Sequence, residues 1–271
     1  MASCDKCQRR AVIYQRYSGM HLCREHFERD VERKVREALR QTGLFGGRVR
    51  LAIGLDGERR SAVVAYILQS LFSRRRDVEF LAIIIDRADD KGRSAGKAQI
   101  VAERLKMPFV VRCFPASAGE PGSFGLLQQT RELIFSVARE LGAGVVATGE
   151  DLDDLALEVF IRYLTGDVAQ DLSRSGSGAQ CMKDISWIKP LARIPKREVR
   201  LYAIGRDLGH AESRLDGGDM LRCRARRLLS DFDRRHPGTC YSLLRGWQRG
   251  MASFRAGGGL LGAKPLSKDM K

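Results

Sequence analysis

Residues 49–72 read VRLAIGLDGERRSAVVAYILQSLF. The apolar run Val49–Leu55 stops at Asp56-Gly57, and an apolar-rich stretch, Ser61–Phe72, follows with Ser61 as its candidate cap. This is the pattern of a strand, a glycine turn and a helix. Downstream the alternation repeats. Phe80–Ile85 is a continuous apolar run, as expected of a parallel strand buried on both faces. Ala95–Leu105 reads as helix, Phe109–Cys113 as strand, Leu126–Leu141 as helix, Val145–Ala147 as a short strand and Leu155–Leu164 as helix. The expected fold is therefore α/β, a doubly wound parallel sheet with ligands at the carboxyl ends of its strands.

Working outward, Glu28–Arg40 carries Val31, Val35 and Leu39 at helical spacing, and Thr42-Gly43 and Gly46-Gly47 end that helix. Gly166–Ser186 is rich in Ser, Gly and Asp and reads as a mobile loop. After Trp187–Leu191, helices resume near Lys196–Leu208 and Leu221–Arg234. The tail Gly257–Lys271 is Gly-rich, basic and without periodicity, and is expected to be disordered. The expected division is a knuckle over 1–27, the main domain over 28–248 and a flexible basic tail over 249–271.

The chain has 271 residues, 44% of them hydrophobic, enough to bury a full core. Lys and Arg number 48 against 33 Asp and Glu, a net charge of +15. Spread basic charge favours a polyanionic partner, because phosphate neutralisation releases counterions. A solvated basic surface is the plainer alternative. The sequence shows neither signal-peptide order at its start nor an apolar run of roughly 18 residues. A cytoplasmic, reducing compartment without membrane contact is expected, and there clustered cysteines suggest metal rather than disulfides.

Cys4-x-x-Cys7 and Cys23-x-x-His26 are separated by 15 residues. Two close pairs at such spacing can close a tetrahedral zinc site, whose binding energy would fix a segment with little apolar content. His21 competes as fourth ligand, but only His26 has the two-residue spacing to Cys23.

The turn Asp56–Ser61 lies where backbone N–H groups and a helix dipole can hold a phosphate. Its glycines are Gly54 and Gly57, and it carries Glu58, which would repel a pyrophosphate unless Mg²⁺ intervened. The same segment also reads as an ordinary strand-to-helix turn. A second anchor is ATGEDLDD at 147–154, whose carboxylates follow a buried strand. Helix capping by Asp151 or Asp153 and contact with Mg²⁺ or nucleotide are both compatible with that placement.

Taken together, the two N-terminal pairs, the strand-turn-helix at 49–72, ATGEDLDD, IKPLARIPKREVRLYA at 188–203 and HPGTCYSLLR at 236–245 resemble the tRNA 2-thiolation proteins. These belong to the PP-loop, or N-type ATP pyrophosphatase, superfamily, whose fold resembles the adenine nucleotide alpha hydrolases. The resemblance spans roughly residues 1–248. It implies a PP-loop domain behind a zinc knuckle, and chemistry in which ATP and Mg²⁺ adenylate a tRNA pyrimidine oxygen before sulfur displaces AMP. Many members deliver that sulfur through an iron–sulfur cluster held by three cysteines.

The sequence departs from the pattern. The family loop SGGKDS falls on Asp56-Gly57-Glu58-Arg59-Arg60-Ser61, with Arg59 in the lysine position and Arg60 in the aspartate position. Matching from the strand side begins at Gly54 instead. The family histidine is Glu150. The family CxxC falls on Gly122-Ser123-Phe124-Gly125, and Cys223 is near the third cysteine but out of register. Cys113, Cys181 and Cys240 read as buried free thiols.

An iron–sulfur cluster is accordingly not expected, zinc is, and ATP with Mg²⁺ is expected at most as a weak ligand. Asp153 and Asp154 are the candidate catalytic carboxylates. Gly54, Gly57, Arg59, Ser61, Thr148 and Gly149 are candidate nucleotide contacts, and Cys4, Cys7, Cys23 and His26 candidate metal ligands. Lys189, Arg193 and the basic helix 196–206 are candidate RNA contacts. The expected partners are tRNA, an active thiolation paralogue or a sulfur carrier, and a second copy of the chain in a homodimer. Two functions remain open: a tRNA-binding thiolation protein, or a degenerate non-catalytic paralogue acting as scaffold.

Overall fold

The structure is a computed structural model that describes residues 2–86, 92–114, 123–166, 180–182, 184–208 and 220–256. The chain opens with an antiparallel hairpin, β1 (Ile13–Gln15) and β2 (Met20–Leu22), with Tyr14 opposite His21. Helix α1 (Arg24–Thr42) follows directly and buries Phe27, Val31, Val35 and Leu39, one apolar residue per turn. Gly43 ends it in the left-handed conformation, with φ of 68° and its N–H on the Arg40 carbonyl.

The main domain is built from β3 (Val49–Leu55), α2 (Arg59–Phe72), β4 (Val78–Asp86), α3 (Arg93–Arg104), β5 (Phe109–Cys113), α4 (Ser123–Glu140), β6 (Val145–Ala147) and α5 (Leu152–Thr165). It continues with β7 (Gln180–Met182), β8 (Ile185–Ile188), α6 (Lys196–Gly205), α7 (Met220–Arg235) and α8 (Thr239–Ala256). Strand order is β5-β4-β3-β6-β8-β7. The first five of these pair in parallel, and β7 adds an antiparallel edge. The chain winds outward from β3 through β4 to β5, then returns to β6 on the other flank. The β3–β6 boundary is thus the topological switch point, where doubly wound sheets bind ligands.

The continuous apolar runs are explained by burial of both sheet faces. Leu51, Ile53 and Leu55 of β3 point with Ile84 into a core shared with α1, α2, α3 and α6. Ala52, Ile83, Ile85, Val146 and Trp187 point the other way, against Ile134, Phe135 and Ala138 of α4. A third cluster joins α5 to α7 and α8 through Leu152, Leu157, Leu229 and Cys240.

Several expectations change. Ser61 is not the cap of α2; the helix starts earlier, at Arg59, with Glu58 in the cap position and no side-chain cap bond. The expected loop 166–186 contains β7, while its residues 167–179 lie outside the described residues. Helix α8 has no counterpart in the expected elements and runs on past residue 248. Cys113 is exposed rather than buried, Cys223 is half-buried and Cys240 buried. Residues 257–271 and Gly122 fall outside the described residues. No helix among the described residues is long and apolar enough to cross a membrane.

Candidate functional site

Leu55 ends β3 at the switch point, and the turn after it is closed by its own side chains. The Glu58 N–H donates to Asp56 Oδ1 at 2.9 Å, and the Ser61 hydroxyl donates to the same oxygen at 2.5 Å. Gly57 has φ of 75°, and a Cβ on it would lie 2.3 Å from the Ser94 carbonyl oxygen. Only glycine fits there. The first turn of α2 then presents backbone N–H groups toward the sheet edge.

Thr148-Gly149 meets that turn from the next strand. A Cβ on Gly149 would stand 2.9 Å from the Ser61 nitrogen and 3.0 Å from the Arg60 carbonyl carbon. Thr148 Oγ1 accepts the Trp187 indole N–H at 2.6 Å, which fixes it against β8. Gly54 is in the same quarter, with Thr148 Cγ2 3.6 Å from where its Cβ would be. The candidate nucleotide contacts Gly54, Gly57, Ser61, Thr148 and Gly149 are therefore brought together, and Arg59 begins α2 beside them.

The carboxylates take different roles. Asp151 is fully buried and caps α5, accepting the Asp154 N–H on Oδ1 at 3.0 Å. Its Oδ2 has no partner. Burial, reinforced by Asp154 and Asp153, holds its carboxyl well above the usual range. Asp153 turns away from the α2 turn; its Oδ2 accepts the Lys196 N–H at 2.7 Å and caps α6. Burial raises its carboxyl as well. Asp154 faces α2, where Arg60 Nη1 donates to its Oδ2. The structure thus separates the two candidate catalytic residues, because consecutive positions on a helix point about 100° apart.

Arg60 also donates to Glu58 Oε2, from Nε at 3.1 Å. Burial works against its charge, but Asp154, Glu58, Asp56 and Asp151 outweigh that cost. Beside this cluster Arg131 pairs with Glu150 and Glu158, each at 3.1 Å. Arg131 and Lys189 both lie over the Trp187 ring, 5.1 and 4.0 Å from its centroid. The composition of the Arg60 cluster escaped the sequence reading, since its partners are Glu58 and a residue 94 positions away.

At the N-terminus, Cys4, Cys7, Cys23 and His26 place one ligand atom each within 4.8 Å of one another. Cys4 Sγ and Cys23 Sγ are both 3.4 Å from His26 Nδ1, and Cys7 Sγ is 3.7 Å from Cys23 Sγ. Tetrahedral zinc with Zn–S near 2.3 Å and Zn–N near 2.0 Å requires about 3.8 Å between sulfurs and about 3.5 Å between sulfur and nitrogen. The set fits such an ion. His21 instead stacks on Tyr14 and is outside the group.

This knuckle is locked to the main domain by a buried polar network. Gln15 Nε2 donates to Asp30 Oδ2 and Glu198 Oε1, each at 3.1 Å. Lys34 Nζ reaches the same two carboxylates at 2.8 and 3.3 Å.

A strand-turn-helix at the switch point of a parallel sheet, behind a Cys₃His knuckle, defines an α/β protein of PP-loop type. Comparison with known proteins narrows this. Residues 3–28 match the family described as 2-thiouridine synthetase TtuA, N-terminal LIM domain. The chain is 30% identical to tRNA 2-thiolation protein NcsA of Haloferax volcanii, over 90% of this chain and 85% of that one. It is 28% identical to the tRNA-5-methyluridine(54) 2-sulfurtransferase of Pyrococcus horikoshii, over 90% and 81% respectively. The solved U34-tRNA thiolase NcsA from Methanococcus maripaludis superposes with a TM-score of 0.82 at 23% identity, covering 97% of this chain and 99% of that one. The chain belongs to the tRNA 2-thiolation protein family.

That comparison corrects one expectation. The M. maripaludis thiolase was solved with its [4Fe-4S] cluster, so the architecture is one that holds such a cluster. The expectation of none rested on Gly122 and Gly125 standing where the family has its CxxC, and on how far apart the remaining cysteines lie along the sequence. Linear spacing is a poor guide, because a parallel sheet gathers loops distant in sequence at one edge.

Proposed function

We propose that this chain is a cytoplasmic tRNA-binding protein of the thiolation family, with an adenine-nucleotide site formed by the 54–61 turn and Thr148–Asp154. The supporting observation is the close approach of Gly149 to the first turn of α2 at the switch point. In this reading the α2 N–H groups and Ser61 hold phosphate, and Thr148-Gly149 form the opposite wall. ATP with Mg²⁺ would supply an adenylate leaving group on a tRNA pyrimidine oxygen. Asp154 is the carboxylate that faces the site; Asp153 acts through the N-terminus of α6. A structural zinc held by Cys4, Cys7, Cys23 and His26 fixes the knuckle.

A second reading, a non-catalytic partner of an active thiolation enzyme, draws support from Arg60. Its guanidinium lies between Glu58 and Asp154, where the family resemblance puts an aspartate, and it consumes the charge a metal ion would need. ATP consumption to AMP in the presence of tRNA separates the readings. Tight tRNA binding with tRNA-dependent AMP release supports the first. Tight tRNA binding without AMP supports the second, and no tRNA binding at about 50 mM salt rejects both.

A further inference from the structure

A groove of about 620 Å³ opens between α1, α5, α8 and the turn after β8. It shares an edge of the sheet with the 54–61 turn, because β3, β6 and β8 run parallel and all end there. Two strand spacings, about 10 Å, separate the end of β3 from the end of β8.

The charge in this groove is unbalanced. Its acidic residues are already engaged: Glu37 holds Arg33 at 2.6 Å and Glu158 holds Arg131 at 3.1 Å. Lys34 is committed to Asp30 and Glu198. Three cations of the lining, Lys189, Arg193 and Arg245, form no side-chain hydrogen bond or ion pair among the described residues. Lys189 rests on the face of Trp187, and the nearby carboxylates of Glu158 and Glu150 favour its charge without a direct ion pair. The Tyr241 hydroxyl donates to the Arg193 backbone carbonyl at 2.8 Å and fixes the turn that carries this exposed side chain. Two of these cations come from the turn after β8 and one from α8, so they line the groove from two elements rather than one helix.

We infer that this groove is a phosphate-binding site that takes the backbone of the RNA substrate, with Lys189, Arg193 and Arg245 as its contacts. The inference rests on the tRNA-binding reading above. Cations that line one groove without a direct ion pair favour a ligand with repeated single charges, and phosphodiesters meet that need. The location beside the sheet edge means that a strand held there passes the proposed nucleotide site.

The test compares tRNA binding by the wild type, by Lys189→Gln/Arg193→Gln/Arg245→Gln and by a control triple, Arg74→Gln/Lys97→Gln/Arg139→Gln, whose exposed cations lie elsewhere. Affinity is measured across salt concentrations, with thermal melts to establish that each variant is folded. The groove triple is expected to lose at least ten-fold in affinity and about 2 in the slope of log affinity against log salt. The control triple is expected to keep more of both. Equal losses in the two triples, with intact wild-type binding, overturn the groove assignment while leaving the tRNA reading standing. Failure of the wild type to bind tRNA overturns both. A groove triple that loses ATP or inorganic phosphate binding but keeps tRNA shows that the phosphates come from a small ligand, and also overturns the assignment.

Discussion

The Arg60 guanidinium and the Asp154 carboxylate form an ion pair that ties the first turn of α2 to the first turn of α5. Both side chains are largely withdrawn from solvent, at 14% and 10% exposure. Glu58 holds the other side of the guanidinium, and Arg226 approaches the second Asp154 oxygen at 3.6 Å. One cation therefore serves several carboxylates at the point where the two sequence motifs meet.

Removing that cation leaves Glu58 without its partner and Asp154 with only the more distant Arg226. Arg60→Ala is expected to cost about 3 kcal/mol, the usual penalty for breaking rather than replacing a buried pair. Urea unfolding monitored by circular dichroism measures it. Arg60→Ala with unchanged stability would mean that water, not the guanidinium, satisfies Asp154.

The knuckle is expected to carry one zinc per chain. Elemental analysis should give close to one equivalent, and Cys23→Ser should lose it together with cooperative unfolding of the N-terminal segment. A chelator should have the same effect, since metal binding supplies the folding energy of such a small unit. Full stability in a metal-free preparation would refute this.

Acid should weaken the docking of the knuckle through Asp30. Burial alone would raise this carboxyl, but hydrogen bonds from Lys34, Arg33 and Gln15 outweigh it and hold the group at about 2. The folded value lies below the unfolded one of about 3.9. The contribution is therefore complete above about pH 4 and is lost as the pH falls toward about 2. Glu198 has the opposite sign, because burial raises it, and it does not produce this loss. Asp30→Asn should start from a lower melting temperature and fall less steeply between pH 4 and 2.5 than the wild type. Parallel curves over that window would contradict the assignment, since zinc loss is common to both proteins.

Much of this architecture was legible from residue order. Val145–Ala147 is a strand with the expected ends, because a strand buried on both faces must be apolar at every position, and Phe109–Cys113 also has the expected ends although it lies half-exposed at the sheet edge. Helix α8 was not legible: Gly246 and Gly250 interrupt it, and only its packing on α5 shows which face is apolar. Strand β7 was hidden in a polar stretch because it pairs on one side only, with β8. The site was legible as two motifs, but not as a cluster. That Asp153 caps α6 while Asp154 meets Arg60 depends on helix phase and on partners 43 and 94 residues away. Sequence spacing carries no information about either.

In the proposed function the 56–61 turn faces a nucleotide, and its own side chains weaken the binding. The direct test is titration with ATP and Mg²⁺ of the wild type and of a chain carrying Asp56→Ser, Glu58→Gly, Arg59→Lys and Arg60→Asp, which together restore the family loop. The expected result is weak binding by the wild type and affinity at least ten-fold higher in the restored chain, provided the latter melts cooperatively. Unchanged affinity in a folded restored chain, or tight binding by the wild type, would contradict the claim.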